Sequence, residues 1–462
     1  MAGRNPRTVY CHHTEPGYIP PPRLSDNMVT VGPFMENVRD GARIQSIKSP
    51  KGRYDLAALL KALPGEQAPE AIIVSADATA LNEPTNLAAF DCPKVALLAD
   101  THHLARPLRN ALAYLADEAF DFHIALYNLH HAHFFTEYGL ANLHWLPGLT
   151  VTQYDAPRPS ETVREIIFAG QRGKYHPRRN RMLDAIEAHG HPLRVVECPA
   201  RQAAALYTRA RITLNCSLNG DLNMRVHEAL GAGGFLLTDK LSPQSGMDRL
   251  FRDGEHLVLY ESPDGLIEKI EHYLDRPDAA AAIARRGHEH YMQCFSAERM
   301  IARLWDILFG GKPDPLSDIG IDRRTATPVT MSRDRMMVRA KLYEFVQELH
   351  RVEESVSVLV LPGVDPHMVS DIADLARVEL YFSDADKPDE AARALFMRAG
   401  VAAQLRHIGE AEARNASWDV LIAPADLADR IKPAKISDMY EFGRLVRVKP
   451  PARADADRER LS

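Results

Sequence analysis

Short apolar runs followed by segments of helical period recur along the whole chain. EAIIVSA (70–76) and KVALLAD (94–100) are continuous apolar stretches bounded by polar or turn-forming residues, and ARIQSI (42–47) joins them; each reads as a strand buried in a sheet covered on both faces. Between them, DLAALLKAL (55–63) sets Leu56, Leu59, Leu60 and Leu63 on one helical face, and LRNALAYLADE (108–118) repeats the period with Leu108, Leu112 and Leu115. The rhythm continues through FHIALY (122–127), a helix near HHAHFFTEYG and a short strand in NLHWLP (142–147). Strand and helix in alternation imply a parallel α/β layer.

PGLTVTQYDAPRPSETVRE breaks the rhythm with three prolines in a polar run, which puts a domain boundary near residue 150. A second series follows: EIIFAGQ (165–171), a helix at RRNRMLDAIEAHG, LRVVEC (193–198), RITLNCS (211–217), a helix at NMRVHEALGAG, GFLLTD (234–239) and HLVLY (256–260). Ser262-Pro263 and Ser296 read as helix starts, with Leu266, Ile270 and Leu274 sharing one helical face. Residues 311–335 are polar, proline-bearing and non-periodic, hence a linker. Beyond them SVSVLVLPGV (355–364), VELYFSD (378–384) and WDVLIAP (418–424) read as strands, and DEAARALFMRAG (389–400) as a helix. The expected organisation is a domain over 1–150, a second over 151–310, a linker over 311–335, a smaller α/β domain over 336–450 and a disordered tail over 451–462.

Composition alters this little. The 462 residues are 45% hydrophobic and 26% charged, which fits about three globular domains and excludes disordered and collagen-like chains. A formal net charge of -6 supplies no overall basic field for nucleic acid. Five scattered cysteines (Cys11, Cys92, Cys198, Cys216, Cys294) without a C-x-x-C pair argue against a disulfide framework or structural zinc. With no apolar leader core and no membrane-length apolar run, the expected compartment is the cytoplasm.

The most informative segment is NGDLNMRVHEALGAGGFLLTD (219–239). On a helix starting near Leu222, Arg225 and Glu228 are three apart and share a face. The helix N-terminus adds N–H donors and partial positive charge, so Arg225 can neutralise a diphosphate while Glu228 accepts from ribose hydroxyls. The bland alternative is a surface ion pair ahead of a glycine cap. Gly231, Gly233 and Gly234 let the helix end tightly and the next strand enter closely. In the first domain, Asp100, His102 and His103 end the strand KVALLAD, where a histidine can act as general base or a polar turn can simply cap the next helix. His130, His131 and His133 carry no neighbouring carboxylate or cysteine at ligand spacing, so no metal is expected. His12 and His13, with Pro20-Pro21-Pro22, read as a loop, with a role facing an acceptor as the alternative. Cys216 reads as structural.

From about residue 165 to 308 the chain resembles the donor-binding half of GT-B glycosyltransferases, in particular the CgeB-type, spore-maturation-protein-like family. FAGQRGKYHPRR (168–179), LNMRVHEALGAGGFLLTD (222–239) and the run from GMDRLFRDGEHLVLYESPDG to ERMIARLWDIL carry the resemblance. It implies two Rossmann-like domains facing a cleft, with a nucleotide-sugar donor as substrate, no cofactor, no essential metal and no nucleic acid. Glu228 is then the ribose binder and Arg225 a diphosphate partner, with Asn223 and Asp221 beside them. Arg172 and Lys174 match the position after the domain's first strand where such folds supply basic groups to phosphates, at the C-terminal edge of a parallel sheet. Retaining members carry Glu-x7-Glu; eight positions before Glu228 this chain has Gly220, with Asp221 as the candidate substitute. Thr101-His102-His103 resembles the Thr-His-Asp that faces the cleft in some GT-B enzymes, which puts His102, Asp100 and His103 on the catalytic side.

The third domain resembles a methyltransferase-type Rossmann fold in element order, with Asp384 or Asp386 at a strand end, but PGVDPH offers only Gly363 where a glycine loop would approach a cofactor. It reads as a degenerate accessory domain. The sequence therefore points to transfer of a hexose or aminosugar from a nucleotide diphosphate donor, UDP-linked, to a glycan, lipid or protein acceptor. A non-catalytic nucleotide-sugar-binding or assembly protein and a nucleotide-sugar epimerase are the alternatives.

Overall fold

The structure is a computed structural model, and it describes residues 5–102, 104, 106–127, 129–151, 163–173, 176–310, 332–352, 356–372, 378–383, 405–424, 435–441 and 444–447. The chain divides into two compact units, Met1–Gly320 and Ile321–Ser462. The first holds two α/β layers. The second holds one.

The first layer comprises β1 (Thr8–Cys11), β2 (Met28–Gly32), β3 (Val38–Asp40), β4 (Arg43–Lys48), β5 (Gly52–Asp55), α1 (Leu56–Leu60), β6 (Ala71–Ala76), β7 (Asn82–Thr85), β8 (Lys94–Leu98), α2 (Pro107–Asp117), β9 (Phe122–Ala125), α3 (Ala132–Glu137) and β10 (Leu143–Trp145). Eight strands form one sheet in the order β10-β9-β8-β6-β1-β2-β4-β3, parallel except for the β3/β4 edge, while β5 and β7 pair separately. β6 is buried at every position, as its apolar run requires. β4 is not: its residues alternate between exposed and buried, because it lies near the sheet edge with one face in water. α1 is shorter than its leucine spacing implies, closing as a turn at Lys61 ahead of Pro64, which disfavours helical backbone in the residue before it.

The second layer comprises β11 (Val163–Ala169), α4 (Pro177–Ala188), β12 (Leu193–Val196), α5 (Ala200–Arg209), β13 (Ala210–Leu214), α6 (Met224–Gly231), β14 (Leu236–Asp239), α7 (Met247–Leu250), β15 (Val258–Tyr260), α8 (Pro263–Asp275), α9 (Pro277–Cys294) and α10 (Ala297–Leu308). Its sheet is wholly parallel, in the order β12-β11-β13-β14-β15. α8 starts where the sequence places it, with the Ser262 hydroxyl accepting from the Gly265 amide. One apolar cluster runs through both layers, from Ile73, Val95, Leu97 and Trp145 to Val226, Leu230, Tyr291 and the Met300, Leu304 and Trp305 face of α10. The layers also meet at Gly246, whose missing side chain lets the backbone lie against the Trp145 ring, and at a Leu129 amide donating to the Ser245 carbonyl at 3.1 Å. The α/β class, the parallel sheets and the two Rossmann-like layers expected from the sequence are thus present.

The remaining unit contains α11 (Arg333–Val352), β16 (Val356–Val360), α12 (Pro366–Val369), β17 (Val378–Ser383), β18 (Leu405–Ile408), α13 (Glu410–Asn415), β19 (Ser417–Ala423), β20 (Lys435–Glu441) and β21 (Arg444–Arg447). The order is β18-β17-β16-β19-β20-β21, parallel apart from the last pair. α11 begins at Arg333, inside the stretch read as linker. Asp384, Asp386 and the expected helix over 389–400 lie outside the described residues, as does the tail. Among the described residues no helix is long and apolar enough to cross a membrane.

Candidate functional site

In an open parallel sheet, ligands bind beyond the C-terminal strand ends where the winding reverses. In the second layer that reversal lies between β11 and β13, since β12 builds to one side and β14 and β15 to the other. Arg225 spans this point. Its Nε donates to the Ala169 carbonyl at the end of β11 (2.7 Å), and its Nη1 donates to the Asn215 side chain just past β13 (2.6 Å). Gly170 makes room: a Cβ there would collide with the Arg225 guanidinium. α6 starts at Met224, two residues later than the spacing implies, because Asn223 caps it by accepting from the Arg225 amide at 3.1 Å. The Asn223 amide group also donates to Asn215 (3.1 Å), so this residue fixes the helix start against the sheet.

A second guanidinium stands beside the first. Arg179 and Arg225 both lie over the Phe168 ring, at 5.1 and 4.5 Å from its centroid. Burial and the neighbouring Arg225 charge pull the Arg179 pKa down to about 10. Among the described residues neither arginine is in an ion pair, although Arg178 next to them pairs with the buried Asp239 at 3.4 Å. Two like charges held together without a carboxylate between them form a ready site for an anion. Glu228, one helical turn from Arg225, accepts from the Tyr207 hydroxyl at 3.2 Å.

Arg172, expected at the phosphates, is placed elsewhere: its guanidinium is bound to Asp184 and Glu187 on the outer face of α4. Lys174 and His103 lie outside the described residues. Among the described residues, the basic groups that pack on Phe168 at the end of β11 are instead Arg179 and Arg225. Arg179 stands within the FAGQRGKYHPRR stretch, yet nothing in spacing distinguishes it from Arg172, because only packing on Phe168 decides which cation turns inward.

The structure brings together two residues that sequence alone left apart. His102 Nε2 is 3.0 Å from Asp221 Oδ2, across the boundary between the layers, and both side chains are almost fully buried. The Asn219 side chain donates to the His102 carbonyl, and Asp221 Oδ1 accepts from the Leu218 and Asn219 amides at 2.9 and 3.1 Å. Burial alone would lower the His102 pKa, but the charge and hydrogen bond of Asp221, with a further contribution from Asp100, outweigh it and raise the value. The shift favours the imidazolium form of the ring against the Asp221 carboxylate.

His130, His131 and His133 are all buried, with His131 Nδ1 at 2.8 Å from the Thr101 hydroxyl; His130 precedes α3 and His133 lies within it. Cys216 is a free, buried thiol whose pKa burial raises to about 11. Tyr18, on the loop after β1, is 44% exposed, and its phenol pKa is raised by burial and by the charges of Glu197 and Glu228.

Residues 178–306 match the model of a glycosyl transferase-like family. The chain is also similar in structure to HepE of Anabaena, solved in complex with UDP-glucose, at 13% identity over 66% of this chain and 100% of that one, with a TM-score of 0.46. A glycosyltransferase from Rickettsia africae aligns over 66% of this chain and 99% of its own at 10% identity and a TM-score of 0.46. WaaG, a glycosyltransferase of lipopolysaccharide biosynthesis, aligns over 66% and 100% at 13% identity and a TM-score of 0.43. No curated protein sequence matches the chain.

Proposed function

We propose that this chain is a GT-B glycosyltransferase that moves a hexose or aminosugar from a nucleotide diphosphate donor, UDP-linked, to a glycan, lipid or protein acceptor in the cytoplasm. The observation that carries this reading is the Arg179 and Arg225 pair at the winding reversal of the second layer, inside the segment that matches the glycosyl transferase-like family. In it the two guanidiniums and the α6 N-terminus hold the diphosphate and stabilise the charge that develops as it departs. Glu228 accepts from the ribose hydroxyls. His102 and Asp221 act as a charged pair that holds the first layer against the donor loop, and closure there excludes the water that would hydrolyse the donor.

Arg225→Ala tests this. We expect a folded protein that loses at least about 100-fold in nucleotide release from a UDP-sugar, the effect of removing one preorganised charge-stabilising donor. An unchanged rate overturns the site.

One observation favours a second reading, a nucleotide-sugar-binding protein without turnover. Gly220 stands where a retaining enzyme has glutamate, and both oxygens of the substitute Asp221 are already engaged, by His102 and by backbone amides. Stabilisation by nucleotide sugars with no nucleotide release in acceptor extracts would select it. An epimerase would isomerise the donor with no acceptor present.

A further inference from the structure

Arginines crowd the region beyond β11, and the groups that hold them differ in charge. Arg172 is bound to Asp184 and Glu187, and Arg178 lies 3.4 Å from Asp239, so carboxylates compensate both of these cations. Arg179 and Arg225 are held by neutral acceptors. The Gln171 carbonyl accepts from Arg179 Nη1 at 2.9 Å, and the Ala169 carbonyl and the Asn215 side chain accept from Arg225. Of these acceptors only Asn215 owes its neutrality to residue type, because an aspartate of the same shape would bond the guanidinium more strongly.

Asn215 is built into the sheet. It is 1% exposed, its backbone amide donates to the Leu237 carbonyl at 2.8 Å, and its carbonyl accepts from the Tyr260 hydroxyl at 2.9 Å. The orientation of its side chain is dictated by groups that can only donate. The Arg225 backbone amide donates to Asn223 Oδ1, which turns the Asn223 nitrogen toward Asn215. Asn215 Oδ1 therefore faces that nitrogen at 3.1 Å and Arg225 Nη1 at 2.6 Å. Asn215 Nδ2 in turn donates to the buried Thr238 hydroxyl at 2.9 Å. One amide thus ties Arg225 to β14 and puts no negative charge on it.

We propose that Asn215 is a positioning residue that fixes Arg225 while leaving its charge uncompensated, and that this choice of amide over carboxylate makes the site selective for a diphosphate. Naming a nucleotide as the carrier of that diphosphate rests on the glycosyltransferase reading above. A guanidinium already paired with a carboxylate has little net charge to offer an incoming anion. Held by neutral oxygens, it keeps its full charge and is ordered before the ligand arrives. Arg179 is held in the same way over the same Phe168 ring, so two uncompensated charges stand together, as a diphosphate requires.

Binding of UDP, uridine and inorganic pyrophosphate to the full chain tests this, by calorimetric titration and, for the weak nucleoside, by ligand NMR. Asn215→Asp keeps the shape, and the Thr238 hydroxyl can turn to donate to the introduced carboxylate. We expect UDP and pyrophosphate affinity to fall about 100-fold or more, with uridine affinity within about twofold of wild type. Asn215→Ser removes the acceptor without adding charge and should cost UDP about tenfold, again sparing uridine. A residue that only supported the fold would give the opposite order, since the isosteric change is then the milder one. UDP binding undiminished in Asn215→Asp, a loss in Asn215→Ser that equals or exceeds it, or equal losses of UDP and uridine overturns the proposal. If Asn215→Asp does not fold, the split between UDP and uridine in Asn215→Ser decides alone: a loss confined to UDP supports the role, and its absence refutes it. Wild type that binds pyrophosphate but not UDP overturns the nucleotide-donor reading and leaves the charge inference standing, whereas wild type that binds neither overturns both.

Discussion

His227 sits on α6 between Arg225 and Glu228 but faces inward, fully buried, with both ring nitrogens lacking hydrogen-bond partners. Its neighbours are the rings of Phe251, Tyr291 and Phe295, at 5.9 to 6.3 Å, and the backbone of Gly148, where the first layer ends. Burial lowers its pKa to about 3 from the usual 6.5. A histidine kept neutral in the fold destabilises it as pH falls, because between pH 6.5 and 3 the unfolded chain binds a proton that the native chain does not. Each pH unit in that window costs about 1.4 kcal/mol, so between pH 7.5 and 4.5 this one residue removes about 2.7 kcal/mol. His227→Leu conserves most of the volume and abolishes the titration. Urea unfolding followed by tryptophan fluorescence, run on both proteins at the two pH values, should therefore show the variant gaining about 2.7 kcal/mol over wild type on going to pH 4.5. His12, with its pKa lowered to about 4 by burial, titrates alike in both proteins and cancels in the difference. A difference that is flat with pH would refute the reasoning, since it would mean the ring is solvated or bonded where the layers meet.

Asp221→Asn should reverse the shift at His102: with the carboxylate gone, burial dominates and the imidazole titrates below rather than above its ordinary value, read from its ring proton shifts. In wild type the raised pKa makes the pair's stabilisation complete below about pH 6.5 and lost as pH rises through the folded value, a trend the variant should lack. Arg172→Ala should leave nucleotide-sugar affinity within about twofold and stability within about 1 kcal/mol, as expected for an exposed ion pair; a tenfold loss by calorimetric titration would show that the side chain leaves Asp184 and Glu187 to reach the ligand.

Much of the fold is legible in the chain because burial on both faces of a parallel strand demands continuous apolar runs. β6, β8, β11, β13, β14 and β16 announce themselves in this way. The strands β3, β5 and β7 do not, since they are short, half-exposed or polar, and α5 is hidden in an alanine-rich run with few large apolar residues. Of the site, Arg225 and Glu228 are readable because three residues on a helix make one face.

The sequence by itself determined the α/β class, the layered organisation and the helix that presents Arg225 and Glu228, all of which follow from local periodicity and capping. Tertiary structure alone decided which cations turn inward and which histidines meet carboxylates. Arg172 and Arg179 are the same residue type seven positions apart, and only the Phe168 ring and the α4 carboxylates sort them. His102 and Asp221, like His13 and Asp77, are distant in sequence and become partners because sheet order, which no local pattern encodes, sets those strand ends and loops side by side.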